Sequence, residues 1–284
     1  MKVFDYFNYV FLAMFALIAI FPLWYVFAGS LSDGQDYMNG GVWFLPRVWT
    51  LSNFKVILSD KMLWYAFRNT ILKTLIGSVT SLVFTCIVAY AMSRQKLKGR
   101  NIFRIIMLFT MFFSGGLIPT FVWLNKLGFY NSFLIYIVPS MFSVYNMIII
   151  SSFFRTVSEE LHEAAIVEGA NEFRIFWTIY MPLSKPILAT ITLWTAVAHW
   201  NSYFNTMIYS DGQKEMITLQ YYLMGVINQA NYSSSGIDPS VLEQVTSKTV
   251  SFAAIVIATI PILFVYPFLQ RYFTTGAQAG ATKG

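Results

Sequence analysis

Six separate stretches of about 20 predominantly apolar residues constrain this chain more than any other feature: Val10 to Ala28, Ile71 to Met92, Ile102 to Leu124, Phe133 to Phe154, Ile187 to Met207 and Val250 to Leu269. A helix rises about 1.5 Å per residue and the apolar layer of a bilayer is about 30 Å thick, so each stretch is long enough to cross one. Composition agrees, since 57% of the 284 residues are hydrophobic and 11% are charged, against about a quarter charged in a soluble domain. With 18% aromatics and a mean hydropathy of +0.58, the apolar surface exceeds what one water-soluble core hides. The expected fold is an all-α polytopic membrane protein with six transmembrane helices. The first stretch, 19 residues from Val10 to Ala28, is longer than the roughly 7–15 residues of a signal-peptide core and is read as a retained helix.

Cations orient the spans. The Ser93 to Asn101 connection carries Arg94, Lys96, Lys98 and Arg100, with Arg104 next, whereas Asn125 to Ser132 carries only Lys126. Lys and Arg are retained on the cytoplasmic side, so both termini and residues 155–186 are expected in the cytoplasm, with 31–63 and 208–249 outside. The chain then divides into an N-terminal helix (1–30), an external loop (31–63), a core of five helices (64–270) and a cytoplasmic tail (271–284). The net charge of +6 is dispersed and adjoins apolar segments, which favours membrane lipids over nucleic acid as neighbours. Cys86, the one cysteine, offers no disulfide or Cys-rich metal site and reads as a small packed hydrophobe. Lys73 lies near one end of its stretch, from where it can snorkel to the interface. Pro22, Ser114-Gly115-Gly116 with Pro119, Pro139, Pro261 and Pro267 are read as helix breakers. A membrane tolerates the backbone groups they free only against protein or a water-filled route.

Between the fourth and fifth stretches, Ser158 is placed to cap a helix that begins Glu159-Glu160-Leu161-His162 and continues through Glu163-Ala164-Ala165. Acids in the first turn suit the helix dipole. Gly169 closes that helix in a left-handed conformation, and Asn171 caps a second. There Phe173, Phe176, Trp177 and Tyr180 recur at i, i+3, i+4 and i+7 as one aromatic stripe, and Pro182 and Pro186 end the segment. A helix pair lying on the inner leaflet would be rich in Lys and Arg. Here Glu159, Glu160, Glu163, Glu168 and Glu172 have only Arg174 and Lys185 nearby in sequence. A protein socket with a basic rim is the better partner, and small Ala164 and Ala165 allow close approach.

The spacing Glu163-Ala164-Ala165, three residues, Gly169, nine residues, Ile179, one residue, Met181-Pro182 resembles the signature loop of ATP-binding-cassette (ABC) import permeases. Met181 stands where that pattern usually has Leu, a mild apolar exchange. The resemblance implies a type I ABC importer permease fold and a coupling helix that docks into a groove on an ATPase subunit. It assigns ATPase coupling to Glu160, Glu163, Ala164, Ala165, Glu168, Gly169, Ala170, Ile179 and Pro182. Trp200-Asn201-Ser202-Tyr203-Phe204 and the ending Gln270-Arg271-Tyr272-Phe273, Gly276, Gly280 and Lys283-Gly284 are similar to the sugar-specific, MalG-like branch. That likeness runs over nearly the whole chain and leans to the subgroup importing complex oligosaccharides, pectin-derived or otherwise uronic-acid-bearing. It implies a second homologous permease, two ATPase subunits, an extracytoplasmic solute-binding protein and a carbohydrate substrate, in a bacterial cytoplasmic membrane. The sequence holds no Gly-x-x-x-x-Gly-Lys-[Ser/Thr] phosphate loop, so no enzyme activity and no cofactor are expected of this chain, with ATP and Mg used by the partner ATPase.

Three further groups are singled out. His199, Trp200, Asn201, Tyr203 and Asn205 are candidates for a translocation path, or hydrogen-bond neighbouring helices. In the maltose system the sugar contacts lie mainly on the other permease. Asn231, Tyr232, Ser233, Ser234 and Gly236 are a candidate loop that enters the binding protein, or a solvated loop. By resemblance, Gln278 and Lys283 belong to a tail that reaches the ATPase dimer interface. The absence of Asp and Glu from all six stretches argues against an ion-coupled secondary transporter. His162 and His199, expected on opposite sides of the membrane, supply no acid–base pair for an intramembrane enzyme. An importer of amino acids, peptides or another small polar solute shares the coupling loop and is the alternative cargo class.

Overall fold

The computed structural model describes residues 2–40, 42, 44–228, 241 and 244–281, with side chains from Phe4 to Phe264. In chain order the elements are α1 (Lys2–Ser30), α2 (Gly34–Met38), α3 (Ser52–Ser59), α4 (Lys61–Ser93), α5 (Arg100–Phe112) and α6 (Leu117–Lys126). Two 3-10 turns (Phe133–Tyr136, Val138–Ser140) lead into α7 (Val144–Phe154), followed by α8 (Glu159–Val167) and α9 (Glu172–Ile175). A π turn (Phe176–Tyr180) precedes α10 (Met181–Leu183), α11 (Lys185–Asn201), α12 (Phe204–Tyr209), α13 (Leu219–Ile227) and α14 (Ser247–Ala281). Among the described residues the only β pairing is an isolated bridge between Ser32 and Trp49.

Three helices are long and apolar enough to cross a membrane: α1, α4 and the Ser247–Phe264 part of α14. Five spans result if each of two bent pairs is one span. The remaining expected stretch, the fifth in chain order, Ile187 to Met207, folds as the 17-residue α11, a gap at Ser202-Tyr203, and α12. The prolines divide into two classes. Pro22 sits inside α1, and Pro261 and Pro267 inside α14, without interrupting either helix, so the expectation of a break fails there. One missing N–H and one displaced carbonyl are absorbed where helical turns continue on both sides of the proline. The Gly-rich run acts differently: α5 ends at Phe112, Gly116 takes φ +87°, and α6 leaves at 111° to α5. Around Pro139 the 3-10 turns meet α7 at 48°. The expected external segments contain α2, α3 and α13, and the expected tail continues α14 to Ala281.

The chain forms two compact units, Met1–Phe67 with Thr218–Leu263, and Arg68–Ile217 with Phe264–Gly284. In the first, α1 presents exposed apolar side chains from Phe4 to Trp24, a surface suited to hydrocarbon. It is held at its far end, where Gly29 lets the Phe252 ring approach so closely that a Cβ would lie 2.5 Å from Phe252 Cδ2. Asn53, fully buried, donates to the carbonyls of Ser30 and Ser32 at 3.0 and 2.8 Å, fixing the turn that follows α1. Tyr222 donates to Asp60 at 2.7 Å, and Asp60 also accepts the Met62 N–H at 2.8 Å, capping α4.

The second unit is built on an aromatic knot. Tyr90 packs against Tyr180, Phe176 and Phe154 with ring centroids 4.8, 5.3 and 6.4 Å apart. Around these lie Cys86, Ala89, Ile150, Ile175 and Ile191, all at most 1% exposed. Cys86 is thus the packed hydrophobe expected of it. This cluster ties α4, α7 and α11 to the segment that carries α8.

Candidate functional site

Both ends of α8 form as their residues dictate. Ser158 Oγ accepts the Glu160 N–H at 3.2 Å, satisfying a donor that the first turn leaves open. Gly169 adopts φ +82°, and the N–H groups of Gly169 and Ala170 close on the carbonyls of Ile166 and Ala165, each at 2.9 Å. Asn171 Oδ1 then accepts the Arg174 N–H at 2.8 Å and starts α9. The result is a short helix with two faces. Glu160, Glu163, Ala164, Glu168 and Gly169 are exposed, as is Pro182. Ala165, Ala170 and Ile179 are half-buried and pack on the aromatic knot.

Three expectations for this segment are corrected. The aromatic stripe splits: Phe176 and Tyr180 are 3% and 1% exposed, whereas Phe173 and Trp177 are 68% and 39% exposed. The π turn widens the helix at that point, shown by the Met181 N–H closing on Phe176 O, so only one edge of the stripe meets the core. Pro182 and Pro186 do not end the segment. Pro186 lies in the first turn of α11, where its missing N–H has no intrahelical partner to lose, and Pro182 follows the π turn within helical backbone that runs unbroken from α9 through α10.

The third correction concerns the acids. Arg94 Nη2 lies 3.0 Å from Glu159 Oε1, and Arg94 Nη1 donates to Tyr180 Oη at 2.8 Å. Lys96 stands 3.8 Å from Glu163 with both side chains exposed, a weak pair. Glu172 accepts from Tyr90 Oη and lies 3.4 Å from Nε2 of His162, which is 2% exposed. Arg94, one of the cations read as a topology signal, therefore also clamps α8 from behind, through a chain approach that sequence distance hides. Among the described residues Glu160 and Glu168 make no ion pair. Burial holds the His162 imidazole below its ordinary pKa; Arg94 acts in the same direction, while Glu172 and Glu159 oppose it. Burial also raises the Tyr180 hydroxyl.

A second feature of the same unit is a cavity of about 500 Å³. Of the candidate path residues, His199 and Asn205 line it; Trp200, Asn201 and Tyr203 do not. The sequence reading missed its central residue. Lys73 does not snorkel: it is 2% exposed, lines the cavity and donates to the Ser202 carbonyl at 2.8 Å. Because α4 starts at Lys61, ten residues before the apolar stretch, Lys73 sits well inside the helix and not at its end. A lone cation in an apolar stretch was the available signal. Gly77, one turn further along α4, faces the His199 ring; a Cβ there would lie 2.6 Å from His199 Cε1. A smaller cavity of about 290 Å³ lies beside the α5–α6 bend, with Gly116 and Pro139 in its wall and Asn205 shared. Asn231, Tyr232, Ser233, Ser234, Gly236 and Lys283 fall outside the described residues. Gln278 lies on α14, its side chain likewise outside them.

Comparison with known proteins agrees with this architecture. The family described as binding-protein-dependent transport system inner membrane component matches residues 2–277. The polygalacturonan/rhamnogalacturonan transport system permease protein YtcP of Bacillus subtilis (strain 168) is 35% identical over 287 residues, covering 100% of this chain and 99% of YtcP. Protein LplC of the same organism is 34% identical over 283 residues, covering 100% and 96%. A chain from the crystal structure of a bacterial ABC transporter involved in import of the acidic polysaccharide alginate superposes with TM-score 0.89. It is 37% identical over 96% of this chain and 97% of its own length. Matched almost end to end in sequence and in fold, this multi-pass helical chain belongs to the inner membrane components of binding-protein-dependent transport systems, the permease subunits of ABC importers.

Proposed function

We propose that the chain is one of two homologous permease subunits of an importer that carries a carbohydrate, an oligosaccharide delivered by an extracytoplasmic solute-binding protein. Two ATPase subunits drive it, and α8 is the element that docks into them. The observation that carries this reading is the construction of α8. Its back is clamped by Arg94, Glu172 and the Tyr90–Tyr180 knot, while Leu161 and Val167 remain 49% and 87% exposed beside Glu160, Glu163 and Glu168. Apolar groups left open at the end of a rigidly held helix suit a protein groove. Closure of the ATPases on ATP then pushes α8, and the knot passes that displacement to α4, α7 and α11, a switch between two packed states.

In this reading both termini and residues 155–186 are cytoplasmic, Gln278 and Lys283 approach the ATPases, and Asn231 to Gly236 approach the binding protein. The carbohydrate assignment draws on the relatives, whose names specify polygalacturonan, rhamnogalacturonan and alginate transport. The docking role is tested with Glu163→Lys and Gly169→Val, by co-purification of the ATPase and by uptake. Glu163→Lys reverses an exposed charge, and Gly169→Val forces a β-branched residue to φ +82°, about 1–2 kcal/mol of backbone strain. Both are expected to weaken ATPase retention and uptake together. Normal assembly and transport in both variants reject docking through α8.

A further inference from the structure

The wall of the larger cavity carries one full charge and, among the described residues, nothing of opposite sign. Lys73 shares that wall with Tyr136, Asn146, Trp194, His199 and Asn205. An ammonium has three protons to donate. One goes to the Ser202 carbonyl at 2.8 Å, in the gap between α11 and α12, and the Tyr136 ring lies 5.0 Å from Nζ. These contacts position the ammonium but do not neutralise it. The ion pairs among the described residues lie elsewhere, at Arg94, Lys96, His162 and Lys214. A charge in the membrane interior persists where it meets a partner or a water-filled cavity, and marks the route of a ligand. The surroundings are those of a small-molecule site: amides of Asn146 and Asn205 beside the exposed face of Trp194, in a volume within the range of about 300–1,000 Å³ that such sites span.

We infer that Lys73 reads a carboxylate on the cargo: its ammonium pairs with the uronate group of an acidic saccharide crossing the cavity. The cargo class is thereby narrowed to acidic oligosaccharides. This rests on the carbohydrate reading proposed above and adds the residue and the charge that select among sugars. Polygalacturonan and alginate, named for two of the similar proteins, are polymers of uronic acids.

The competing role for Lys73 is purely structural, tying α4 to the α11–α12 gap through the Ser202 carbonyl. The test uses the assembled importer in proteoliposomes with saturating loaded binding protein. It compares maximal uptake of a galacturonate trisaccharide with that of its fully methyl-esterified form, which has the same backbone without the charge. For Lys73→Met the acid-to-ester ratio is expected to fall about tenfold or more, the loss of one charge-assisted hydrogen bond. Lys73→Arg, which keeps the cation, retains most of the ratio. Asn205→Asp leaves Lys73 in place and adds a carboxylate to the same wall, and it lowers the ratio as well. Equal slowing of both cargoes in Lys73→Met, leaving the ratio unchanged, overturns the inference in favour of the structural role. If Lys73→Met does not assemble, Asn205→Asp decides, and an unchanged ratio overturns the inference. An unsubstituted complex that carries only the ester overturns it while leaving carbohydrate import standing; one that carries neither removes both readings.

Discussion

His162 lies on the buried face of α8 at 2% exposure, with Nε2 3.4 Å from Glu172 and with Arg94, Lys96 and Glu159 also acting on it. Burial lowers its pKa from the ordinary value of about 6.5. Below that value and above the depressed one, the detached segment binds a proton that the packed segment refuses. Packing of α8 therefore keeps the full contribution of a neutral His162 above about pH 6.5 and loses it as the pH falls further. Hydrogen exchange of the amides from Glu159 to Val167, followed from about pH 7.5 to 5.5 and corrected for intrinsic rates, is expected to show protection falling with acidification, and His162→Gln to flatten the trend. Protection that is insensitive to pH in the parent protein rejects this account. The same residue shows why the site was only half legible: its helix and caps follow from local spacing, but the Arg94 charge near it, and the Tyr90 hydroxyl that bonds the Glu172 beside it, come from some 70 positions earlier in the chain.

At the scale of elements, α4 and α11 approach one another because Gly77 offers no side chain where the His199 ring lies. Small residues at helix crossings let backbones come close when there is no water to drive packing. Gly77→Ala places a methyl 2.6 Å from His199 Cε1, and overpacking of this kind costs about 1–3 kcal/mol. A lower Tm of the purified complex is expected, with uptake reduced as His199 shifts in the cavity wall. Adding His199→Ser to Gly77→Ala removes the ring that clashes and is expected to recover part of the loss, so strict additivity of the two changes would exclude direct contact. The bends show how differently two punctuating residue types act. Glycine at φ +87° permits a 111° turn between α5 and α6, whereas Pro22 and Pro261 ride within continuous helices. Gly116 offers a conformation closed to other residues, while an interior proline removes a single ladder bond that the flanking turns tolerate.

For the molecule as a whole, the orientation proposed from the basic connection can be measured with little background. Cys86 is fully buried, so a membrane-impermeant maleimide should pass it over, and Glu168→Cys supplies an exposed thiol directly after α8. Labelling is expected in inverted vesicles and not in intact cells; reaction in intact cells removes both the orientation and the coupling role. The sequence alone determined the membrane class, the helical content, the caps of α8 and the family motif, because each rests on interactions within a few residues or on a count of apolar ones. Tertiary structure alone decided where Lys73 goes, which acids Arg94 and Lys96 occupy, and which half of the aromatic stripe is buried. Those outcomes depend on partners more than 60 positions away, and no local period or propensity carries information about which distant backbone will arrive beside a given side chain.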